Sequence, residues 1–237
     1  MPDLSPTAIL ADRLAAVEER LRAACARAGR RRGDVTLVAV TKAVSPEVAA
    51  ALHGLGVVDL AENRPQELWH KAAALPASVH WHMIGHLQRN KVERTLPLVC
   101  LIHSVDSVRL LQAIDAEAGR RGAPVEVLLE VNASGEASKN GFPPAAISGQ
   151  GPALASLRHV RVRGLMAMAA YEEDPQKTRP TFAGLRVLRD RLQAEVGNAH
   201  TLSHLSMGMT NDFEVAVEEG ATLVRLGTVL FEGLGSA

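Results

Sequence analysis

Val35-Thr36-Leu37-Val38-Ala39-Val40-Thr41-Lys42-Ala43-Val44-Ser45-Pro46-Glu47 passes from a strand pattern to a helix start with no glycine in between. Residues 35–40 are apolar or β-branched throughout, as in a strand covered on both faces. Ser45-Pro46-Glu47 then offers an N-cap, a first-turn proline and an early acid. An open doubly wound sheet would carry a glycine fingerprint in this first turn. The turn reads Thr41-Lys42-Ala43-Val44 instead, which favours the other parallel architecture, a closed barrel.

Outward from this unit the same alternation repeats. Strand patterns occupy residues 35–40, 57–61, 79–84, 99–103, 125–131, 160–166, 201–205 and 222–226. Helical spacing fills residues 46–53, 65–74, 89–95, 108–121, 145–157, 178–196 and 212–219, with 145–157 the poorest. Eight strands, each separated from the next by a helix in a chain of 237 residues, predict an α/β fold, a single (β/α)8 TIM-type barrel. Upstream, Ile9, Leu10, Leu14, Val17, Leu21 and Cys25 recur at steps of three and four, so residues 6–28 form an extra amphipathic helix capped by Ser5 and stopped by Gly29. One domain is expected over residues 1–237, with the N-terminal helix in 1–30, the barrel in 35–231 and no C-terminal β domain.

Composition narrows the function. Twenty-six basic and 26 acidic residues leave no net charge to draw in nucleic acid or an anionic membrane. Four Phe, two Trp and one Tyr are too few for base-stacking platforms. Cys25 and Cys100 lack CxxC spacing and read as reduced core thiols of a cytoplasmic protein. No apolar run is long enough to span a bilayer. His80, His82 and His86 have no acidic or cysteine cluster beside them, so no metal is expected.

In a barrel, residues just past the strand ends converge on one face. Lys42 follows the first strand, where it reads either as a solvated lysine at a strand terminus or, in a dry pocket, as an amine made nucleophilic towards an aldehyde. Ser206-Met207-Gly208-Met209-Thr210-Asn211-Asp212 and Arg225-Leu226-Gly227-Thr228 follow the seventh strand and close the eighth. Backbone N–H groups, a glycine and hydroxyls at those places suit a phosphate, or alternatively only helix caps, with Asn211 and Glu214 forming a box-like pair. Arg225 lies inside an apolar strand and needs a partner, such as a neighbouring carboxylate. Asn63 reads as a helix cap and Glu62 as a partner for Arg64. A Schiff-base aldolase acting on a phosphorylated sugar would use the same lysine and phosphate cradle.

Val38-Ala39-Val40-Thr41-Lys42, Glu62-Asn63-Arg64-Pro65-Gln66-Glu67, Trp81-His82-Met83-Ile84-Gly85-His86-Leu87-Gln88-Arg89-Asn90-Lys91, His103-Ser104-Val105-Asp106, Leu205-Ser206-Met207-Gly208-Met209 and Val224-Arg225-Leu226-Gly227-Thr228 together resemble the pyridoxal phosphate homeostasis protein family. The resemblance is collinear over residues 35–231. It implies a barrel like the N-terminal domain of alanine racemase, holding pyridoxal 5′-phosphate as a reversible Schiff base on Lys42. It further implies that Ser206, Gly227 and Thr228 receive the phosphate, that Arg225 faces the pyridine nitrogen and that Asn63 lies beside the ring. Ala61, Thr210 and Glu232 depart from the family pattern; the first two leave cofactor binding intact, and Glu232 has no account.

The function implied is intracellular pyridoxal phosphate (vitamin B6) homeostasis, buffering the cofactor or delivering it to apo-enzymes that depend on it, with no turnover of its own. An arginine at the ring nitrogen cannot protonate it, so carbanion chemistry is weakly supported. The alternative is a slow racemase or related amino-acid enzyme, for which the sole tyrosine, Tyr171, lies in the loop after the sixth strand. A monomer is expected. The loop over 132–141, with Glu136, Lys139 and Asn140, reads either as a solvated loop with no role or as a lid in which Lys139 holds the departing cofactor.

Overall fold

Ser5 Oγ accepts a hydrogen bond from Ala8 N–H at 3.3 Å and Pro6 fills the first turn, starting α1 (Pro6–Arg27) where cap and proline predict it. A computed structural model describes residues 5–133 and 140–235 of the chain. After a 3-10 turn at Arg32–Asp34 come β1 (Thr36–Val40), α2 (Pro46–Gly54), β2 (Asp59–Glu62), α3 (Pro65–Ala74) and β3 (His80–Met83). They are followed by α4 (Val92–Thr95), β4 (Val99–Val105), α5 (Val108–Arg121), β5 (Val125–Val131), α6 (Pro144–Ile147) and α7 (Gly151–Ala155). The chain continues through β6 (Val160–Ala167), α8 (Arg179–Val196), β7 (His204–Ser206), α9 (Phe213–Glu218), β8 (Leu223–Leu226) and α10 (Thr228–Phe231). The eight strands pair in sequence order, all parallel, and β8 returns to β1 to close a barrel.

Period-two alternation divides each strand between two apolar layers. Leu37 and Ala39 face the helices, while Val38 and Val40 point inward with Ala61, Leu101, Leu128, Met166 and Leu223. The interior is not wholly apolar, for His82, His103, Ser206 and Arg225 are buried there as well. α1 lies across α2, α9 and α10, with Leu10, Val17, Leu21, Ala24 and Cys25 buried beneath it.

Several expectations are corrected. Residues 145–157 form two short helices, because Gly149 takes φ +86° between them. Residues 89–95 form a 3-10 turn and a single helical turn. β7 begins only at His204, since Ser203 N–H turns back to the Thr201 carbonyl. Ser45 precedes α2 without a side-chain cap bond, leaving the start to Pro46. Cys25 is a core thiol, but Cys100 is exposed near the start of β4. Among the described residues no helix is long and apolar enough to cross a membrane, and no group of three His, Cys, Asp or Glu side chains is placed to hold a metal. Glu136 and Lys139 of the expected lid lie outside the described residues. Phe142 anchors the far end of that loop, its N–H donating to the Glu130 carbonyl at 2.7 Å.

Candidate functional site

The strands' C-terminal ends surround a cavity of about 740 Å³. Lys42, Asn63, Arg225, Gly227 and Thr228 share its wall, five of the six residues singled out from the sequence. Period two explains two of them. Lys42 continues the inward series Val38 and Val40, and Arg225 continues from Leu223. The sixth, Ser206, is not on the wall; its side chain is fully buried beneath Arg225.

Lys42 is held through its neighbour. Thr41 Oγ1 donates to Glu62 Oε1 at 2.6 Å, and Lys71 Nζ reaches both that oxygen at 2.6 Å and the Thr41 carbonyl at 2.7 Å. Glu62 therefore pairs with Lys71 of α3, not with Arg64, and the pair is almost fully buried. The Lys42 side chain is exposed rather than in a dry pocket, and makes no hydrogen bond or ion pair among the described residues. Its amine is free to meet a ligand. Asn63 does not cap α3, whose cap residue is Arg64 without a side-chain bond. It is fixed instead by the close approach of Gly85, where a Cβ would lie 2.0 Å from the Asn63 carbonyl oxygen.

Beside Lys42, since β8 pairs with β1, the turns after β7 and β8 form a cradle. The N–H groups of Thr210, Asn211, Gly227 and Thr228 donate to no acceptor among the described residues. All four residues line the cavity, and Thr210 and Thr228 add hydroxyls. Unpaired N–H groups with hydroxyls make an anion site without a lysine. The loop is shaped by Asp212 Oδ1, which accepts from Met209 N–H at 2.6 Å, and by Thr210 Oγ1, which accepts from Val229 N–H at 3.3 Å. Asp212, not Asn211, is the residue before α9, and its side chain makes no cap bond to the helix; Asn211 Nδ2 bonds the Glu172 carbonyl and Glu214 pairs with Arg20 and Arg27.

Arg225 is 4% exposed, and its nearest partners are uncharged: Nη1 donates to Ser206 Oγ at 2.6 Å and Nη2 to the Ala167 carbonyl at 3.0 Å. The expected carboxylate partner is thus replaced by a hydroxyl and a carbonyl. Burial lowers the Arg225 pKa to about 10, against the attraction of Asp212 and Glu130, so the guanidinium stays charged at neutral pH. Glu130 also lines the cavity, and burial with the nearby Asp106 charge pushes its carboxyl up to about 7. Sequence reasoning passed over Glu130 because it looked beyond the strand ends, although period two sets it inward after Leu128. His86, joined to Asp106 at 2.7 Å, and the exposed Tyr171 complete the rim.

A family model described as the N-terminal domain of alanine racemase matches residues 13–234. The chain is 44% identical to the pyridoxal phosphate homeostasis protein of Aquifex aeolicus, covering 93% of this chain and 96% of that one. It is 34% identical to the Homo sapiens protein of the same name, covering 92% and 84%. The chain belongs to the pyridoxal phosphate homeostasis protein family. Among solved structures of similar sequence, PipY of Synechococcus elongatus, described with PLP bound, superposes with a TM-score of 0.81 at 33% identity, covering 94% of this chain and 99% of that one. An uncharacterised protein from Bifidobacterium adolescentis gives a TM-score of 0.89 at 37% identity over 98% of both chains. The alanine racemase of Clostridium difficile, at 19% identity and a TM-score of 0.67, shares the barrel. Membership of the homeostasis family thus accompanies the alanine racemase fold.

Proposed function

We propose that the chain binds pyridoxal 5′-phosphate in this cavity as a reversible Schiff base on Lys42, and that it buffers the cofactor and delivers it to dependent apo-enzymes of the cytoplasm without turnover of its own. The observation that carries this reading is one wall presenting three complementary groups. They are an unengaged primary amine, four unpaired N–H groups with two hydroxyls, and a buried guanidinium. The donors suit a ligand with an aldehyde, a phosphate and a ring nitrogen acceptor. Its name in relatives, and the ligand described for PipY, agree.

When bound, the cofactor would supply an aldehyde carbon electrophilic towards a primary amine. Lys42 provides that amine at the barrel mouth, reversibly because water reaches an exposed side chain. Thr210, Gly227 and Thr228 receive the phosphate through N–H and hydroxyl groups. Asn63 stands beside the ring. Arg225 would donate to the ring nitrogen, and because a guanidinium is a much weaker acid than a pyridinium it would keep its proton, so the site would hold the cofactor without a strong electron sink. Ser206, buried beneath Arg225, serves the site by holding the guanidinium rather than by touching the phosphate.

A slow amino-acid racemase is the second reading, favoured by one observation: Tyr171 lies on the cavity wall. At 81% exposure its hydroxyl is fixed by no hydrogen bond among the described residues, which is poor positioning for a base. The test adds the cofactor to apo-protein and follows visible absorbance, then assays racemisation of common amino acids. Absorbance that Lys42→Ala abolishes, with no turnover, supports a holding role. Turnover removed by Tyr171→Phe establishes the enzyme instead. Sedimentation of the loaded protein as a single chain is expected, and a stable dimer would refute the monomer.

A further inference from the structure

Four hydrogen bonds connect Arg225 to the far end of the barrel. Arg225 Nη1 donates to Ser206 Oγ at 2.6 Å, and Ser206 Oγ lies 2.8 Å from His103 Nδ1. His103 Nε2 is 2.9 Å from His82 Nδ1, and His82 Nε2 is 3.1 Å from Asp59 Oδ1. Asp59 opens β2, at the rim opposite the cavity. Ser206 and His103 are fully buried and His82 nearly so.

The chemistry of the donors orders this chain. A guanidinium only donates, so the Ser206 oxygen accepts from Arg225. With both imidazoles neutral, Ser206 O–H donates to His103 Nδ1, His103 Nε2–H donates to His82 Nδ1, and His82 Nε2–H donates to the Asp59 carboxylate. Every donor is then turned towards Asp59. The opposite pair of neutral tautomers would set a bare His82 nitrogen against the carboxylate. That order becomes satisfactory only when one proton is taken from water. His82 then carries N–H at both nitrogens, His103 carries its proton on Nδ1 and donates to Ser206, and the Ser206 O–H turns away from His103.

The surroundings favour the neutral order. Burial, with the repulsion a charged His103 would meet from Arg225 and from a protonated His82 or His204, holds the His103 imidazolium well below its ordinary range. Burial would raise the Asp59 carboxyl, but hydrogen bonding from His82 and His80, with the attraction of either imidazole when protonated, outweighs it and keeps the carboxyl low. The charged and titratable groups gathered around the chain are His80 on β3, Cys100 on β4 with Sγ 3.5 Å from His82 Nε2, Glu126 on β5, Arg163 on β6 and His204 on β7. Arg225 itself has no carboxylate within ion-pair distance among the described residues.

We infer that His103, His82 and Asp59 are positioning residues for Arg225, relaying the Asp59 charge through the barrel interior and setting how strongly Ser206 holds the guanidinium at the cofactor cavity. Hydrogen bonds aligned in one direction polarise one another, so a Ser206 that donates towards Asp59 is the better acceptor for Arg225. The effect on the cofactor rests on the function proposed above; the order of the protons does not.

Two measurements separate the claims. In the unloaded protein at neutral pH, ¹⁵N NMR should show His82 and His103 both neutral with the proton on Nε2. A proton on His103 Nδ1 under those conditions overturns the relay, whatever the protein binds. In the loaded protein, Asp59→Asn keeps an acceptor for His82 but removes the charge, and should shift the pH midpoint of the cofactor absorbance by roughly half a unit or more. In a Ser206→Ala background the same substitution should shift it by nothing measurable. An equal shift in both backgrounds, or none in either, overturns the coupling; a cofactor found away from Lys42 sinks the functional reading and leaves the NMR result standing.

Discussion

Glu130 and Arg225 show how much of the site is decided by single side chains placed inward at a strand end. Glu130 holds its proton up to about 7, against an ordinary value of 4.5, through burial and Asp106. Between those values the folded chain binds a proton that the unfolded chain has lost, so this group's contribution is fullest below 4.5 and is lost as pH rises through 7. Glu130→Gln should therefore raise the melting temperature relative to the parent more at pH 8 than at pH 5; a constant difference would contradict it. Arg225→Glu turns a donor into an acceptor facing the Ala167 carbonyl, beside two carboxyls already pushed upward by burial. A loss of about 3 kcal/mol in a urea titration is expected, of the size of an unpaired buried charge. Weaker cofactor retention and an altered absorbance should accompany it, and an unchanged spectrum in a folded variant would place the guanidinium away from the ring. Lys42 was legible from its place just past the first strand, and Arg225 as a charge inside an apolar strand. Ser206 was not, because nothing in a strand-end serine distinguishes a hydroxyl at the surface from one turned under its neighbour.

At the level of elements, the cavity wall depends on contacts beneath it. The Glu62 and Lys71 pair joins the end of β2 to α3 and secures both the hydroxyl and the carbonyl of Thr41. Lys71→Met leaves Glu62 buried without a cation and should cost about 3–5 kcal/mol. A chemical melt within 1 kcal/mol of the parent would show the pair to be dispensable. Gly85→Ala drives a methyl into the Asn63 backbone, so the β2 and β3 ends must separate, and weaker cofactor retention should follow together with lower stability. Strand positions were readable because β-branched runs alternate with capped helices. The break at Gly149 and the single-turn α10 were not, since elements of four or five residues are set by packing rather than by their own periodicity.

The whole molecule ties its added helix to the cradle. Arg20 of α1 pairs with Glu214 at 2.8 Å, Arg27 reaches Glu214 at 2.8 Å and Glu218 at 2.6 Å, and Arg13 donates to the Leu230 carbonyl at 3.1 Å. These partners lie on α9 and α10, which lead away from Thr210 and Gly227. Leu21→Ala, at a fully buried position, should cost about 3 kcal/mol and loosen cofactor retention. Unchanged retention in the folded variant would make α1 structural only. The barrel was legible because the strand count and the missing glycine fingerprint pointed the same way. Hydrogen bonds crossing its interior were not, since residues as distant as Asp59 and Arg225 meet only through the closed sheet. The central claim is the covalent bond at Lys42. Loading the protein with pyridoxal 5′-phosphate, reducing it with borohydride and mapping the peptides should find the added mass on Lys42, and a stable adduct on another lysine with Lys42 unmodified would contradict it.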